Sequence, residues 1–292
     1  MVDRVLRPVV QSLLSLLLAV ALAVTVLLFG VRGAVYSERL YSRIPDDPAF
    51  INGMETYVSE ALEAECLFYD LPFETVKQAV TRDRLLELSR EYASAVYTSL
   101  CSGDELGEFT VDPAPYRAVL DTYFASLPEA ERPVDANTSA VLSEELARVT
   151  ASVLSSGLIN RVLDYGHRFV YGDSLLRKVT SYAPWALVLT VLLAALSLIP
   201  WGGWRRRLYA TSGAAFIGSA LAFVPLWLLQ QHDLAERLAL GASPLKLYVG
   251  GIVNGVVNGM TAAALWVFIG CLVGLIASIV ILVCQKKKEF LE

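Results

Sequence analysis

Histidines, the residues that most often serve as acid–base groups and metal ligands, are few in this chain. It contains two, His167 and His232, and the carboxylates of Asp164 and Asp173 lie close to the first in sequence. An imidazole with two carboxylates is a ligand set that zinc and other divalent metals accept. Neighbouring glycines leave the local shape undetermined, and a solvated surface is the better interpretation. We therefore expect no metal site and no cofactor.

Nucleophilic and acid–base catalysis has no recognisable motif in the sequence. There is no Gly-x-Ser-x-Gly elbow, no glycine-rich phosphate loop and no zinc-protease helix motif. Carboxylates do occur in pairs, for example Glu144 with Glu145 and Glu63 with Glu65. Residues one or two apart on a helix point in different directions, so these pairs do not converge on a substrate. The sequence predicts that the chain is not an enzyme.

The cysteines have neither metal-ligand nor redox-motif spacing. Cys66 and Cys101 lie in a charged stretch, whereas Cys271 and Cys284 lie in the last apolar stretch. In an oxidising compartment, a disulfide between Cys66 and Cys101 would close a loop of about 35 residues and stabilise the fold by about 4 kcal/mol. The alternative is two small apolar side chains that are buried without a bond.

Composition indicates a polytopic membrane protein rather than a soluble or disordered chain. Hydrophobic residues make up 55% of the 292 positions, charged residues make up 18%, and the mean hydropathy is +0.52. The net charge of −5 is unevenly distributed, because residues 33–182 contain 24 Asp and Glu against 13 Lys and Arg, a net charge of −11. An acidic surface repels phosphate, so we expect no nucleic-acid partner.

Four apolar stretches are long enough to cross a hydrocarbon core of about 30 Å as helices. The first has 24 uncharged residues between Arg7 and Arg32 and no convincing cleavage site after it, which favours an uncleaved anchor over a signal peptide. The predicted fold is all-α, with four transmembrane helices and an all-α domain, residues 33–182, inserted between helices 1 and 2. The transmembrane segments are 1–32, the hairpin 183–230 with its arginine-rich turn, and 262–285.

Basic residues near the ends of the spans predict the orientation. With four spans, three basic groups fall on one side of the membrane, and the side richer in Lys and Arg is usually cytoplasmic. We expect a plasma-membrane protein with both termini in the cytoplasm and with residues 33–182 and 231–261 outside. The basic groups are Arg4 and Arg7, Arg205 to Arg207, and Lys286 to Lys288 in the tail 286–292.

The inserted domain carries helix start and stop signals and lacks an alternating strand pattern. Asp47 before Pro48 predicts the start of one helix, and Thr81 predicts the cap of the next. Gly103 follows the second helical repeat and predicts its end. These signals predict a compact helical domain on the outer side of the membrane.

The longest uncharged run covers 39 residues, from Leu247 to Gln285. As one helix it would be about 60 Å long, twice the thickness of the hydrocarbon core, so we expect it to be divided. The fourth span would start at residue 262, after an amphipathic or re-entrant helix within the outer loop 231–261. One face of that helix would serve as a coupling or assembly element, formed by Gly251, Asn254, Gly255, Asn258 and Gly259.

Small residues recur every four positions inside the predicted spans, a spacing that lets helix backbones approach closely. In the fourth span this seam consists of Gly270, Gly274 and Ser278. The seams can pack within the chain, or they can bind a second copy or a partner helix, and the sequence leaves both open. Comparable seams are Ala214 with Gly218 and Ala222, and Ala186 with Thr190 and Ala194.

The segment order, an anchor, a large outside domain and three further spans with both ends inside, resembles in topology the permease-like subunits of cell-division and macrolide-export systems. Those subunits transmit work from a cytoplasmic ATPase to an outside domain. They carry a cytoplasmic coupling segment between the second and third spans, whereas the turn 202–207 is too short for a helix.

Two functions therefore stand as hypotheses. In the first, the outside domain binds a protein partner, an envelope component or a small ligand, and the four spans anchor it. In the second, the membrane part is a subunit of an oligomeric transport or pore complex that is coupled to partner proteins.

Overall fold

The computed structural model describes residues 2–129, 137–155, 159–199, 204–232 and 244–289, and this part of the chain is helical and contains no strand. The predicted all-α class is confirmed. Four segments are long and apolar enough to cross a membrane, as expected of a multi-pass membrane protein: Val9–Val35, Leu163–Leu198, Arg207–Gln231 and Pro244–Cys284.

The described helices are numbered in chain order, and short turns of tighter or wider helix separate some of them. The tighter turn is Ile44–Asp46, and the wider, π-type turn is His167–Tyr171. The α-helices are α1 Val2–Val35, α2 Glu38–Arg43, α3 Pro48–Phe68, α4 Phe73–Lys77, α5 Arg82–Ser102, α6 Ala114–Ser126, α7 Thr138–Ser155, α8 Ile159–Gly166, α9 Leu175–Ser181, α10 Ala183–Leu198, α11 Trp204–Gln231 and α12 Pro244–Glu289.

The chain divides into two compact units. The first, here called the bundle, comprises Met1–Ser37, Leu175–Leu234 and Asn254–Glu292. The second, here called the helical domain, comprises Glu38–Ser174 and Ala235–Val253. Helix α12 contributes its first ten residues to the helical domain and the remainder to the bundle.

In the bundle, α1 packs against both α10 and α11. The crossing with α11 is tight at Gly218, where an added methyl group would lie 2.4 Å from the carbonyl oxygen of Ala19. On the α10 side, the hydroxyls of Thr25 and Thr190 are hydrogen-bonded to each other at 2.9 Å. Close backbone approach and hydroxyl pairs hold helices together in lipid, where the hydrophobic effect does not favour their association.

Helix α12 joins the bundle through hydroxyl, aromatic and apolar contacts. The hydroxyls of Ser278 and Ser212 are hydrogen-bonded at 2.8 Å. The ring of Phe268 lies 5.1 Å from that of Phe216 and 5.3 Å from that of Phe223. An apolar cluster connects three helices through Val26 of α1, Ala222 and Leu226 of α11, and Ala264 of α12.

The predicted helix ends in the helical domain are confirmed. Asp47 accepts a hydrogen bond from the backbone N–H of Ala49 at 2.9 Å and caps α3. Thr81 accepts one from the backbone N–H of Arg84 at 3.3 Å and caps α5. Gly103 follows α5 with a φ of 79°, a left-handed conformation that glycine adopts without a Cβ clash.

The core of the helical domain lies where α3, α5 and α7 meet. Two buried hydroxyl pairs accompany its apolar side chains: Tyr116 with Thr150 at 2.5 Å, and Tyr41 with Tyr171 at 2.6 Å. Because buried polar atoms are costly unless they are paired, these bonds restrict which helices can meet. The most buried apolar side chains include Met54, Val58, Leu62, Val76, Leu85, Leu120, Leu146 and Leu154.

The structure corrects the predicted division of the last uncharged run. Helix α12 is continuous from Pro244 to Glu289, so residues 245–260 do not form a helix separate from the fourth span. The 46-residue helix is longer than a bilayer requires because its first turns are core residues of the helical domain. Contacts within the helical domain, rather than a break in the helix, account for the extra length.

Some predicted segments lie outside the described residues. These are positions 202 and 203 of the arginine-rich turn, residues 233–243 of the predicted outer loop, and residues 290–292 of the basic tail.

Candidate functional site

The helical domain contains a groove of about 560 Å³ between the irregular segment 106–113 and helix α7. Ligand pockets typically measure about 300–1,000 Å³. The segment is held in place by two side chains, because the ring of Phe109 packs 5.1 Å from that of Tyr92 and Val111 is buried. Asp112 then accepts a hydrogen bond from the backbone N–H of Ala114 at 2.9 Å, at the start of α6. These contacts fix the side of the groove that the segment forms, and helix α7 forms the other side.

Charged side chains surround an apolar floor in this groove. Ala147 and Ala151 line it and are buried, and the exposed carboxylates of Glu108 and Glu144 line it as well. The basic residue of the groove is Arg148. Its guanidinium group donates one hydrogen bond to each carboxylate oxygen of the neighbouring Glu145. That arrangement leaves the groove with two carboxylates that are free of ion pairs within the described residues, and suits a cationic or polar ligand.

The Arg148 pair also has an electrostatic consequence. The pKa of Glu145 is lowered, chiefly by the hydrogen bond from Arg148. The pKa of Arg148 is raised by the same bond. Both groups are charged near neutral pH, so the pair contributes no net charge to the groove and leaves its acidic character to Glu108 and Glu144.

A smaller cavity of about 220 Å³ contains His167, the histidine considered above as a metal ligand. Its Nδ1 lies 2.9 Å from the carbonyl oxygen of Leu100, which can only accept, so Nδ1 donates. Asp164 lines the cavity, but its carboxylate accepts a hydrogen bond from Arg168 at 3.0 Å, and Asp173 does not line it. In the described part of the chain, no three His, Cys, Asp or Glu side chains are placed to hold a metal ion.

The first turns of α12 form a second feature of the helical domain. Leu245 and Tyr248 are buried there, with 6% and 5% of their surface exposed. The ring of Tyr248 packs edge-on against Phe50 at 4.9 Å and against Tyr92 at 5.4 Å. The Tyr92 ring is also the one on which Phe109 rests, so α12 and the rim of the groove share a single aromatic neighbour.

Two glycines permit this docking. A methyl group on Gly251 would lie 2.6 Å from Cγ2 of Ile44, and one on Gly53 would lie 3.0 Å from both methyl groups of Leu247. Ile44 is itself buried, so it has little room to move away. Gly251 therefore lets the α12 backbone approach the chain that precedes α3.

The rest of the predicted glycine and asparagine face has a different environment. In the bundle, Gly259 lies against Ala34, whose Cβ would be 3.2 Å from a methyl group on the glycine. Gly255 and Asn254 are half-buried, and Asn254 has a polar interaction, whereas Asn258 is exposed. The face is thus not one continuous binding surface, because its two ends pack in different units.

The predicted seam in the fourth span is also divided. Ser278 is buried and hydrogen-bonded to Ser212. Gly270 and Gly274 have no neighbouring atom within 4 Å of an added methyl group. Within the described chain, these two glycines therefore contribute no close helix packing.

The disulfide that the sequence allowed between Cys66 and Cys101 is not formed, and both cysteines are free thiols. Cys66 lies on the buried face of α3, whereas Cys101 is exposed in the last turn of α5. Burial raises the pKa of the Cys66 thiol to about 11. The two thiols have different surroundings, because Cys66 lies on the interior side of α3 and Cys101 lies on the solvent-exposed side of α5.

Sequence reasoning did not identify Phe109, Tyr92 or Tyr248 as site residues. Leu245, just before Lys246, and Tyr248 and Gly251, at the start of the uncharged run, recur every three residues, a helical spacing that could have indicated a buried face. Comparison with known proteins finds no matching family model, no matching curated protein and no matching solved structure.

Proposed function

We propose that this chain is a plasma-membrane protein whose helical domain lies outside the cell, binds a partner in its groove and is linked to the bundle through α12. The basic residues at the ends of the spans support the orientation, with both termini in the cytoplasm. The four apolar segments support the membrane location.

The continuity of α12 carries the proposal. Its residues 244–253 belong to the helical domain, where Leu245 and Tyr248 are buried, and the same unbroken helix supplies the longest apolar segment. A flexible tether would be sufficient for anchoring alone. A helix built into a ligand-binding domain through Tyr248 provides a physical connection along which occupancy of the groove can act.

The chemistry of the groove supports a basic or polar segment of a protein partner. The sequence between residues 33 and 182 carries a net charge of −11, and the exposed carboxylates of Glu108 and Glu144 line the groove. Such a surface attracts cationic ligands over distances of about a Debye length, ~10 Å at 0.1 M salt. A cationic envelope component or small ligand would be recognised by the same groups.

The test uses site-specific photo-crosslinking in the full-length protein in its native membrane. A photoreactive amino acid replaces Ser152, an exposed residue of the groove, or Glu60, an exposed residue of α3 that does not line the groove. We expect a discrete adduct from position 152 and none from position 60. A charge reversal, Glu108→Lys with Glu144→Lys, should abolish the adduct. Equal adducts at both positions, or an adduct that survives the charge reversal, would contradict the proposal.

A second function, a subunit of an oligomeric transport or pore complex, is favoured by the open space at Gly270 and Gly274. Glycines that have no close neighbour among the described residues are available for packing against a second copy or a partner helix. Native mass spectrometry of the full-length protein in detergent should then show an oligomer that Gly274→Leu dissociates. Gly213→Leu is the control, because Gly213 also has open space but lies on α11. A monomer before substitution argues against this function.

A further inference from the structure

The bundle contains an open cavity of about 240 Å³ lined by α1, the end of α10 and the beginning of α11. Its polar lining comes from all three helices: Gln11 and Ser15 of α1, Ser197 of α10, and Arg207 and Thr211 of α11. The remaining wall is mainly aliphatic and includes Ile199. A polar cluster of this kind between membrane-spanning helices is unusual unless it has a role.

Arg207 is the notable member of the cluster. Only 8% of its surface is exposed, and within the described residues it has no hydrogen bond or ion pair. An arginine side chain is always charged in proteins, and a buried charge is costly unless an opposite charge and hydrogen bonds accompany it. Arg207 therefore lines a cavity in which an anion would supply its missing partner.

The neighbouring groups add donors for the same anion. Ser197 donates to the carbonyl oxygen of Ala194 at 2.7 Å, so in its 2.7 Å contact with Thr211 the threonine donates. These two hydroxyls are thus committed to each other. Gln11 and Ser15 form no hydrogen bond within the described chain, and they leave an amide N–H and a hydroxyl for a ligand. Among the described residues that line the cavity there is no carboxylate to oppose an anion.

We propose that this cavity binds the phosphate group of an anionic phospholipid, with Arg207 as the charged ligand-binding residue. Guanidinium groups recognise phosphate oxygens with paired, charge-assisted hydrogen bonds. Basic pockets between membrane helices bind anionic lipid head groups. The aliphatic wall suits the glycerol and the first methylene groups of a lipid, which a free phosphate ion lacks. The inference does not depend on the proposed function of the helical domain.

The test measures thermal unfolding of the full-length protein in detergent, by tryptophan fluorescence, during titration with phosphatidylglycerol. Diacylglycerol with the same acyl chains and inorganic phosphate form two further arms. Arg207→Gln removes the charge in the cavity, and Arg32→Gln, at an exposed position in the last turn of α1, is the matched control. We expect phosphatidylglycerol to raise the melting temperature of the wild type and of Arg32→Gln. Arg207→Gln should bind it at least about tenfold more weakly, the effect of losing a charge-assisted hydrogen bond.

Four results would overturn the proposal or part of it. Unchanged binding of phosphatidylglycerol to Arg207→Gln, or equal binding of diacylglycerol, removes the phosphate site. A shift with inorganic phosphate that depends on Arg207 keeps the anion site and overturns its assignment to a lipid. If Arg207→Gln fails to fold, Ala210→Leu fills the cavity while keeping the charge, and binding that persists in this variant also overturns the proposal.

Discussion

Replacing Gly218 by alanine tests the packing of the bundle directly. The added methyl group would lie 2.4 Å from the carbonyl oxygen of Ala19, 2.9 Å from its Cα and 3.0 Å from its carbonyl carbon. All three are backbone atoms, so the clash cannot be relieved by rotating a side chain. Helices α1 and α11 must move apart, and every contact along their crossing weakens as they do so.

The magnitude follows from comparison with Gly213 on the same helix, where an added methyl group meets no atom of the described residues within 4 Å. Both substitutions remove a helical glycine, which gains about 1 kcal/mol of helix propensity. Overpacking a well-packed contact costs about 1–3 kcal/mol. Because the propensity gain is common to both, Gly218→Ala should be less stable than Gly213→Ala by about 1–3 kcal/mol. Gly213→Ala itself should be neutral or stabilising.

The assay is reversible unfolding of the full-length protein in mixed micelles with increasing dodecyl sulfate, followed by tryptophan fluorescence and circular dichroism. We expect Gly218→Ala to unfold at the lower detergent fraction and Gly218→Leu at a lower fraction still. Equal midpoints for Gly218→Ala and Gly213→Ala would show that α1 and α11 do not cross closely at Ala19, and the reasoning would be refuted.

Three further predictions concern the helical domain. The hydroxyls of Tyr248 and Ser89 are buried near each other, and neither forms a hydrogen bond of normal geometry in the described chain. Tyr248→Phe should therefore be at least as stable as the wild type in a thermal melt, whereas Tyr248→Ala should lose about 3–5 kcal/mol. A marked loss of stability in Tyr248→Phe would contradict this and show that the two hydroxyls are bonded to each other. Burial raises the pKa of Cys66 to about 11, so a maleimide at pH 8 should modify the exposed Cys101 well before Cys66 in the folded protein. Peptide mass spectrometry measures the two modification rates, and equal rates would contradict the burial of Cys66. Burial likewise raises the pKa of Tyr41 and of Tyr116 to about 12, so the folded state keeps protons that an unfolded chain, with tyrosine pKa values of about 10, has already lost. The free energy of unfolding should therefore fall as the pH rises from 10 to 12, and less steeply in Tyr41→Phe. A free energy of unfolding, measured by circular dichroism, that does not change with pH over this range would argue against burial of these phenols.

Features that depend on neighbours in sequence were predictable. The caps at Asp47 and Thr81 and the helix end at Gly103 follow from hydrogen bonds that span two to four residues. Apolar stretches of sufficient length indicate membrane-spanning helices for the same reason, because each helix satisfies its own backbone hydrogen bonds. The all-α class required nothing beyond this local information.

Contacts between residues far apart in sequence could not be predicted from this local information. Gly218 and Gly274 both belong to seams of small residues spaced by four, yet one lies against the backbone of Ala19 and the other against open space. The groove likewise depends on Phe109 resting on Tyr92, which periodicity does not reveal because segment 106–113 is irregular.

By itself, the sequence determined the helices, the apolar segments and the distribution of charge, since hydropathy and capping act over a few residues. Only the tertiary structure decided where those helices meet. It placed Tyr248 in the core of the helical domain, made α12 one helix of 46 residues, and buried Arg207 beside a cavity without a partner in the described chain. Close packing is the physical reason, because whether a side chain is buried, paired or open depends on atoms that other parts of the chain supply.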